Sequence, residues 1–265
     1  MNEGPSKPNP SSDKLDSHRK EKRMRNLRNK RTAAAGLCLS FAMMVMPSLV
    51  RADDAKEVER VKESGNVIKD LTNSSNGIPL GLLNKSECVI ILPSVKKAGF
   101  IVGASYGRGV MTCRHGENFD GTWSAPTMMQ STGGSFGLQA GGQATDFVIL
   151  VMNDKGARAL LKGKLKLGAD ASVAAGPVGR DAEASTNASM SAEMLSYSRA
   201  QGVFAGVSLQ GSTLGPDNDA NKNLYGKELT AEDIVVKAEV PVPASAHEML
   251  AVLTAKSPKN LSKGQ

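Results

Sequence analysis

Between residues 123 and 152 the chain reads WSAPTMMQSTGGSFGLQAGGQATDFVILVM, and the middle of this run alternates strictly. Phe136, Leu138 and Ala140 share one parity; Ser135, Gly137, Gln139, Gly141 and Gln143 share the other. Side chains of a strand point alternately to opposite faces, so the pattern predicts a strand with one apolar face and one face nearly bare of side chains. Glycine weakens a strand through backbone entropy and lost packing. Its repetition on one face therefore points to another backbone or a ligand in close approach. The apolar run 147–152 reads as a strand buried on both sides.

The remaining segments are read by the same periodicities. Residues 55–72 form an amphipathic helix, with Val58, Val61, Ile68 and Leu71 on one stripe and Glu57, Arg60, Lys62, Glu63 and Lys69 elsewhere. Its charge is balanced, which favours packing on the domain over lying on a membrane. Residues 87–92 form a short strand stopped by Pro93, Lys96 and Lys97 occupy a loop, and a second strand covers 99–106. Gly107, Arg108 and Gly109 make a tight connection to a third strand, 110–114, followed by a polar loop at 115–121. A helix at 155–161 is capped by Asn153 or Asp154 and ends at Gly163. Strands are expected at 164–175, 182–199 and 202–212, with a polar loop at 215–223. Thr230 with Asp233 and Ser245 with Glu248 have capping-box spacing and open two terminal helices. Together these predict an α+β fold in a single domain. It is a mainly antiparallel sheet or barrel-like roll with an N-terminal helix and short C-terminal helices.

Composition matters here chiefly through where the charge lies. The formal net charge is +7, but residues 1–52 hold 11 Lys or Arg against 4 Asp or Glu, which leaves 22 of each sign in the rest. The basic character belongs to the leader. Arg25, Arg28, Lys30 and Arg31 form a basic region before the apolar stretch 33–46; Pro47 and the Val50-Arg51-Ala52 site follow. This is the pattern of a secretory signal cut after Ala52, with an uncleaved membrane anchor as the competing reading. Met24 begins a conventional signal by itself, which leaves Met1 or Met24 as the start. Cys38 lies inside the apolar stretch behind Leu37, which does not suit lipidation. The expected organisation is 1–52 as polar extension and signal, 53–256 as the domain, and 257–265 as a disordered tail. Export, to the periplasm or envelope, follows from the leader. Cys88 and Cys113 both fall in strand-like segments; a disulfide and two buried thiols are both open, because sequence does not fix their geometry.

Beyond the leader the chain has two histidines, His115 and His247, and no Cys/His cluster at ligand spacing, so neither a metal site nor a cofactor is expected. Nothing resembles the strained G-x-S-x-G turn of a nucleophile, although assembly of His115 with a distant nucleophile stays open. The run 103–109, GASYGRG, lacks the Lys-Ser/Thr ending of a phosphate loop. No catalytic residue is assigned. Neutral charge and few aromatics disfavour nucleic acid. Positive side chains are the remaining candidates: Lys96, Lys97, Arg108, Lys162, Lys164 and Lys166. They either solvate strand faces and guard edges or form a site for anionic headgroups.

Three blocks carry a family resemblance. These are Ile78-Pro79 with Leu82-Leu83; VIILPSVKKAGFIVGASYGRGVMTCR from residue 89; and the stretch from Trp123 to Asp154. They resemble the SYLF domain over residues 56–236. The resemblance implies a non-catalytic domain that binds phosphoinositides or other anionic lipids, with actin-binding eukaryotic members. The expectation is a protein that binds anionic phospholipid or a membrane surface. A structural or adhesive envelope protein with an unidentified protein partner is the alternative.

Overall fold

The computed structural model describes residues 52–74, 77–99, 102–136, 143–179, 191–200 and 203–262. The expected leader and the glycine run 137–142 lie outside these residues. Helix α1 (Ala52–Asn73) and the single turn α2 (Leu80–Asn84) lead into four long strands: β1 (Cys88–Gly99), β2 (Val102–Cys113), β3 (Thr127–Phe136) and β4 (Gln143–Val151). Helix α3 (Asp154–Lys162) precedes short strands β5 (Leu165–Lys166), β6 (Val173–Ala175), β7 (Met194–Ala200), β8 (Val203–Gly206) and β9 (Thr213–Pro216). The chain closes with α4 (Asn218–Tyr225), α5 (Ala231–Val235), a 3-10 turn (Ala244–Ala246) and α6 (His247–Lys256). The strands form one sheet in the order β5-β9-β3-β2-β1-β4-β7-β6, with β8 also on β7. Every pairing is antiparallel except β6 with β7. The expected α+β class and antiparallel sheet are what the chain adopts.

Alternation along the central strands feeds two apolar layers. Cys88, Ile90, Leu92, Met111, Cys113, Phe147, Ile149 and Val151 pack on one side with α3 and α5. Val89, Ile91, Val110, Met128, Val148 and Leu150 pack on the other with α1 and α6. A fully buried side chain of this size contributes roughly 1.5–3 kcal/mol, so residues 147–151, apolar on both parities, belong at the centre of the sheet. On α1 the buried line is Glu57, Val61, Ser64, Ile68 and Leu71, with Val67 beside it. Glu57 was expected on the polar face; its burial is explained by its ion pairs, described below.

The main correction concerns β1 and β2. Pro93 does not stop a strand, and residues 107–109 are not a turn; the expected three strands are two of twelve residues each. The register of β1 shifts between Ile91 and Lys96 on one side and between Leu92 and Val95 on the other. This is a bulge, where a residue without an N–H is tolerated. Ser94 takes φ 51° there, and its N–H donates to Asp146 Oδ1 at 2.8 Å instead of to a neighbouring strand. The bulged backbone leans onto β2. A β-carbon at Gly109 would lie 1.9 Å from the Ile91 carbonyl oxygen, so glycine here answers a close approach of backbone.

Other expectations change for local reasons. The strand foreseen at 164–175 is β5 and β6 separated by a turn at Gly168, φ 86°, where Asp170 accepts the Lys166 N–H. The strand foreseen at 202–212 stops at Gly206. The polar loop at 215–223 is the end of β9 followed by α4, capped by the Asp217 side chain and by Gly226. Asn153 caps α3 and Thr230 with Asp233 forms a capping box, both as expected. Ser245 with Glu248 does not: Ala246 precedes α6 without a side-chain cap, and Glu248 pairs with Lys69 of α1 at 2.8 Å. Cys88 and Cys113 face each other across β1 and β2 and are joined by a disulfide. The tail expected to be disordered packs against the domain as far as Ser262.

Candidate binding surface

The bulge decides where the lysines go. Leu92 and Val95 lie in the same apolar layer although three residues apart, so beyond the bulge Lys97 keeps the side of Val95 and Lys96 takes the other. Lys97 sits over the Phe147 ring, 5.3 Å from its centroid. Lys96 pairs with Tyr106 on β2, Tyr106 with Thr132 on β3, Thr132 with Thr213 on β9, and Thr213 with Lys166 on β5. Paired residues on antiparallel strands share a face. Lys96, Tyr106, Thr132, Thr213 and Lys166 therefore form one straight row across five strands.

The row is open. Lys96, Thr132 and Lys166 are exposed, and Tyr106 keeps 49% of its surface in solvent. Four strand spacings of about 4.8 Å put its terminal lysines' backbones roughly 19 Å apart. Lys164 adds a third exposed cation at the same edge, next to Gly215, where a β-carbon would lie 2.7 Å from Lys164 Cγ. Among the described residues Lys96, Lys164 and Lys166 have no ion-pair partner.

The other sequence candidates are placed differently. Lys162 ends α3, which packs on the opposite side of the sheet. Arg108 lies on the same face as the row, one pleat nearer α1, but it is occupied: it meets Asp217 Oδ2 at 2.6 Å and Glu57 Oε1 at 3.3 Å. Burial opposes its charge, yet the hydrogen bond and charge of Asp217, then Glu57, outweigh this and hold the guanidinium above its ordinary pKa. Arg60 also pairs with Glu57. Arg108 thus ties α1 and the start of α4 to the sheet, a role hidden from sequence because its partners lie 51 residues before it and 109 after.

Two further polar groups escaped the sequence reading. Arg114 is fully buried against Trp123. Burial lowers its pKa to about 10 against the pull of Glu87. A groove of about 480 Å³ is lined by Asn153, Lys155, Asp170, Ser172 and Glu193 among others. Its carboxylates are engaged, Glu193 with Lys155 at 2.7 Å and with the Ser172 N–H, and Asp170 with the Lys166 N–H. His115 and His247 are both exposed. Among the described residues no group of three or more His, Cys, Asp or Glu side chains is placed to hold a metal, and no helix is long and apolar enough to cross a membrane.

Comparison with known proteins supplies the relationships. A family model described as "Ysc84: Las17-binding protein actin regulator" matches residues 132–256. An SH3 domain-containing protein of Schizosaccharomyces pombe is 36% identical over 222 residues, covering 83% of this chain and 50% of its own. The human SH3 domain-containing YSC84-like protein 1 is 35% identical over 211 residues, 77% of this chain and 60% of its own. Protein YSC84 of Saccharomyces cerevisiae is 32% identical over 207 residues, 77% of this chain and 43% of its own. The chain thus spans about half the length of these relatives. With the matched region running from β3 to the end of α6 and these relatives extending it over most of the domain, the chain belongs to the Ysc84, or SYLF, family.

Proposed function

We propose that the domain binds anionic membrane surfaces, without catalysis, through the sheet face that carries Lys96, Tyr106 and Lys166, with Lys164 at its edge. The observation that carries this reading is the exposed row of paired residues whose lysines have no acidic partner among the described residues. A row of this span suits a surface with several headgroups better than a single small anion. Tyr106 projects an amphipathic ring of the kind that settles at headgroup level. Each lysine held near an anionic leaflet contributes about 1 kcal/mol, so three give weak, salt-sensitive attachment. Arg108 holds α1 in place and contributes only indirectly. Export of the domain is part of the proposal; the basic and apolar leader and the Cys88–Cys113 disulfide, a bond that persists in oxidising compartments, support it.

The family description, a Las17-binding actin regulator, favours a second reading, in which this face docks an acidic protein. Co-sedimentation of residues 53–265 with vesicles separates the two. The membrane reading expects binding to vesicles rich in phosphatidylserine or phosphatidylglycerol at low salt, release as salt rises, and none to phosphatidylcholine. Absence of binding to anionic vesicles at low salt refutes it and leaves the protein-docking reading.

A further inference from the structure

From the end of α6 the chain turns back across the ends of β1 and β2, where Glu87 and Arg114 flank the disulfide pair. Ser257 is fully buried. Its hydroxyl accepts from Arg114 Nη2 at 2.6 Å and donates to the Leu83 carbonyl at 3.2 Å, and its carbonyl accepts the Trp123 indole N–H at 3.1 Å. The Lys259 carbonyl takes a second bond from Arg114. Asn260 donates to Glu87 Oε2 at 2.5 Å and to the Phe119 carbonyl at 2.7 Å. The Leu261 N–H donates to the Asn84 carbonyl, and the Ser262 hydroxyl to Glu87 Oε1, both at 2.7 Å. Beyond Ser257 the attachment is polar: Pro258, Lys259 and Leu261 are exposed.

The closed arrangement carries an opposing cost. Arg114 is 0% exposed, and its Nε and Nη1 find no hydrogen-bond partner among the described residues. A buried donor left unpaired is unfavourable, and opening would return both to water. The hydrogen bonds along residues 257–262 are thus partly offset by a guanidinium they keep dry, and segments held by a small net balance are those that open locally. The floor beneath it also has contacts that do not involve the strap. Arg114 stacks on Trp123 with 3.9 Å between guanidinium carbon and ring centroid, and its N–H is held by the Glu87 carbonyl at 2.8 Å.

We propose that residues 257–262 are a strap that opens independently of the domain. We further propose that the recess beneath it, floored by Arg114, Trp123 and Glu87, is a recognition site for a short polar peptide with the strap's own spacing of Ser, Asn and Ser. The strap fills that site in cis. A peptide of the same chemistry competes for it in trans, at a disadvantage set by the strap's high effective concentration.

Hydrogen exchange on the full chain tests the opening. The Leu261 amide is expected to exchange on the order of a hundredfold or more faster than the β1–β2 ladder amides, in a separate opening event. Equal rates would make the segment an integral part of the core and overturn the proposal. Recognition is read from Trp123, the chain's single tryptophan. Asn260→Ala with Ser262→Ala, in the full chain and with unchanged far-UV circular dichroism, is expected to increase acrylamide quenching of Trp123. A synthetic peptide of residues 257–262 reverses the increase, and a scrambled peptide does not. Quenching that stays at the wild-type level, or that rises but ignores the peptide, refutes peptide recognition. If the double variant fails to fold, wild-type exchange with and without excess peptide decides: faster Leu261 exchange when peptide is added supports competition, and no change refutes it.

Discussion

Gly109→Ala probes the bulge on which the placement of every β1 lysine depends. A β-carbon at 109 would lie 1.9 Å from the Ile91 carbonyl oxygen and 2.8 Å from Leu92 Cα, both backbone atoms. Ordinary contact begins at 3.4 Å, so β1 would have to move by about 1.5 Å. Overpacking costs about 1–3 kcal/mol, and such a shift also weakens one or two ladder hydrogen bonds at about 1 kcal/mol each. Against this stands a gain of about 0.4–1 kcal/mol from replacing glycine in the unfolded chain. The net expectation is a loss of about 3 kcal/mol. With a urea slope of about 2–3 kcal/mol/M, the midpoint falls by roughly 1–1.5 M. Two neighbours calibrate the result. At Gly107 the nearest atom is Val95 Cγ2 at 2.5 Å, the end of a side chain, and at Gly134 nothing lies within 4 Å. Gly107→Ala should lose about 1–2 kcal/mol, and Gly134→Ala should be neutral or gain up to about 0.5 kcal/mol. Urea melts of all three give the order directly. Gly109→Ala as stable as Gly134→Ala would refute the bulge and with it the sorting of Lys96 and Lys97 to opposite faces.

Replacing Cys88 and Cys113 together by alanine should cost about 3.5 kcal/mol, the loop-closure value for the sequence separation of 25. Melting with and without reductant measures it, and a melt insensitive to reductant would contradict the disulfide. Arg108→Met leaves Glu57 and Asp217 without their shared cation and should destabilise by about 2–3 kcal/mol; adding Glu57→Gln should recover part of that loss in a double-mutant cycle. Asp233 is held down to about 2 by hydrogen bonding to Lys237 first and then to Thr230. A depressed carboxylate stabilises above its unfolded pKa, so the advantage of wild type over Asp233→Asn should be full at pH 7 and vanish between pH about 4 and about 2 in acid melts. An advantage unchanged at pH 2 would refute the capping role.

Local signals were readable from sequence where the structure is local. Asn153 and Gly163 bracket α3, Thr230 with Asp233 opens α5, and the doubly apolar run 147–151 is a central strand, covered on both faces as a strand with apolar residues of both parities must be. What sequence hid depends on register. Pro93 looks like a stop until the bulge supplies a place for a residue without an N–H. Glu57 looks solvated until Arg108 arrives from β2. Cys88 and Cys113 face each other only because β1 and β2 pair in one register rather than the next. Of the six basic candidates, Lys96, Lys164 and Lys166 lie without ion-pair partners among the described residues along one side of the sheet. Arg108 shares that face but is paired, and Tyr106, which completes the row, carried no charge signal to draw attention to it.

The proposed membrane contact is made by one face of the sheet, and not by positive charge in general. Two double variants with identical charge change separate these. Lys96→Glu with Lys166→Glu alters the row, whereas Lys97→Glu with Lys162→Glu alters the opposite side. Binding to anionic vesicles is measured at low salt for both. At about 1 kcal/mol lost per neutralised lysine, and more on reversal, the row variant should bind at least about 30-fold more weakly than wild type. The opposite-face variant should stay within about threefold. Equal weakening in both variants would contradict the account.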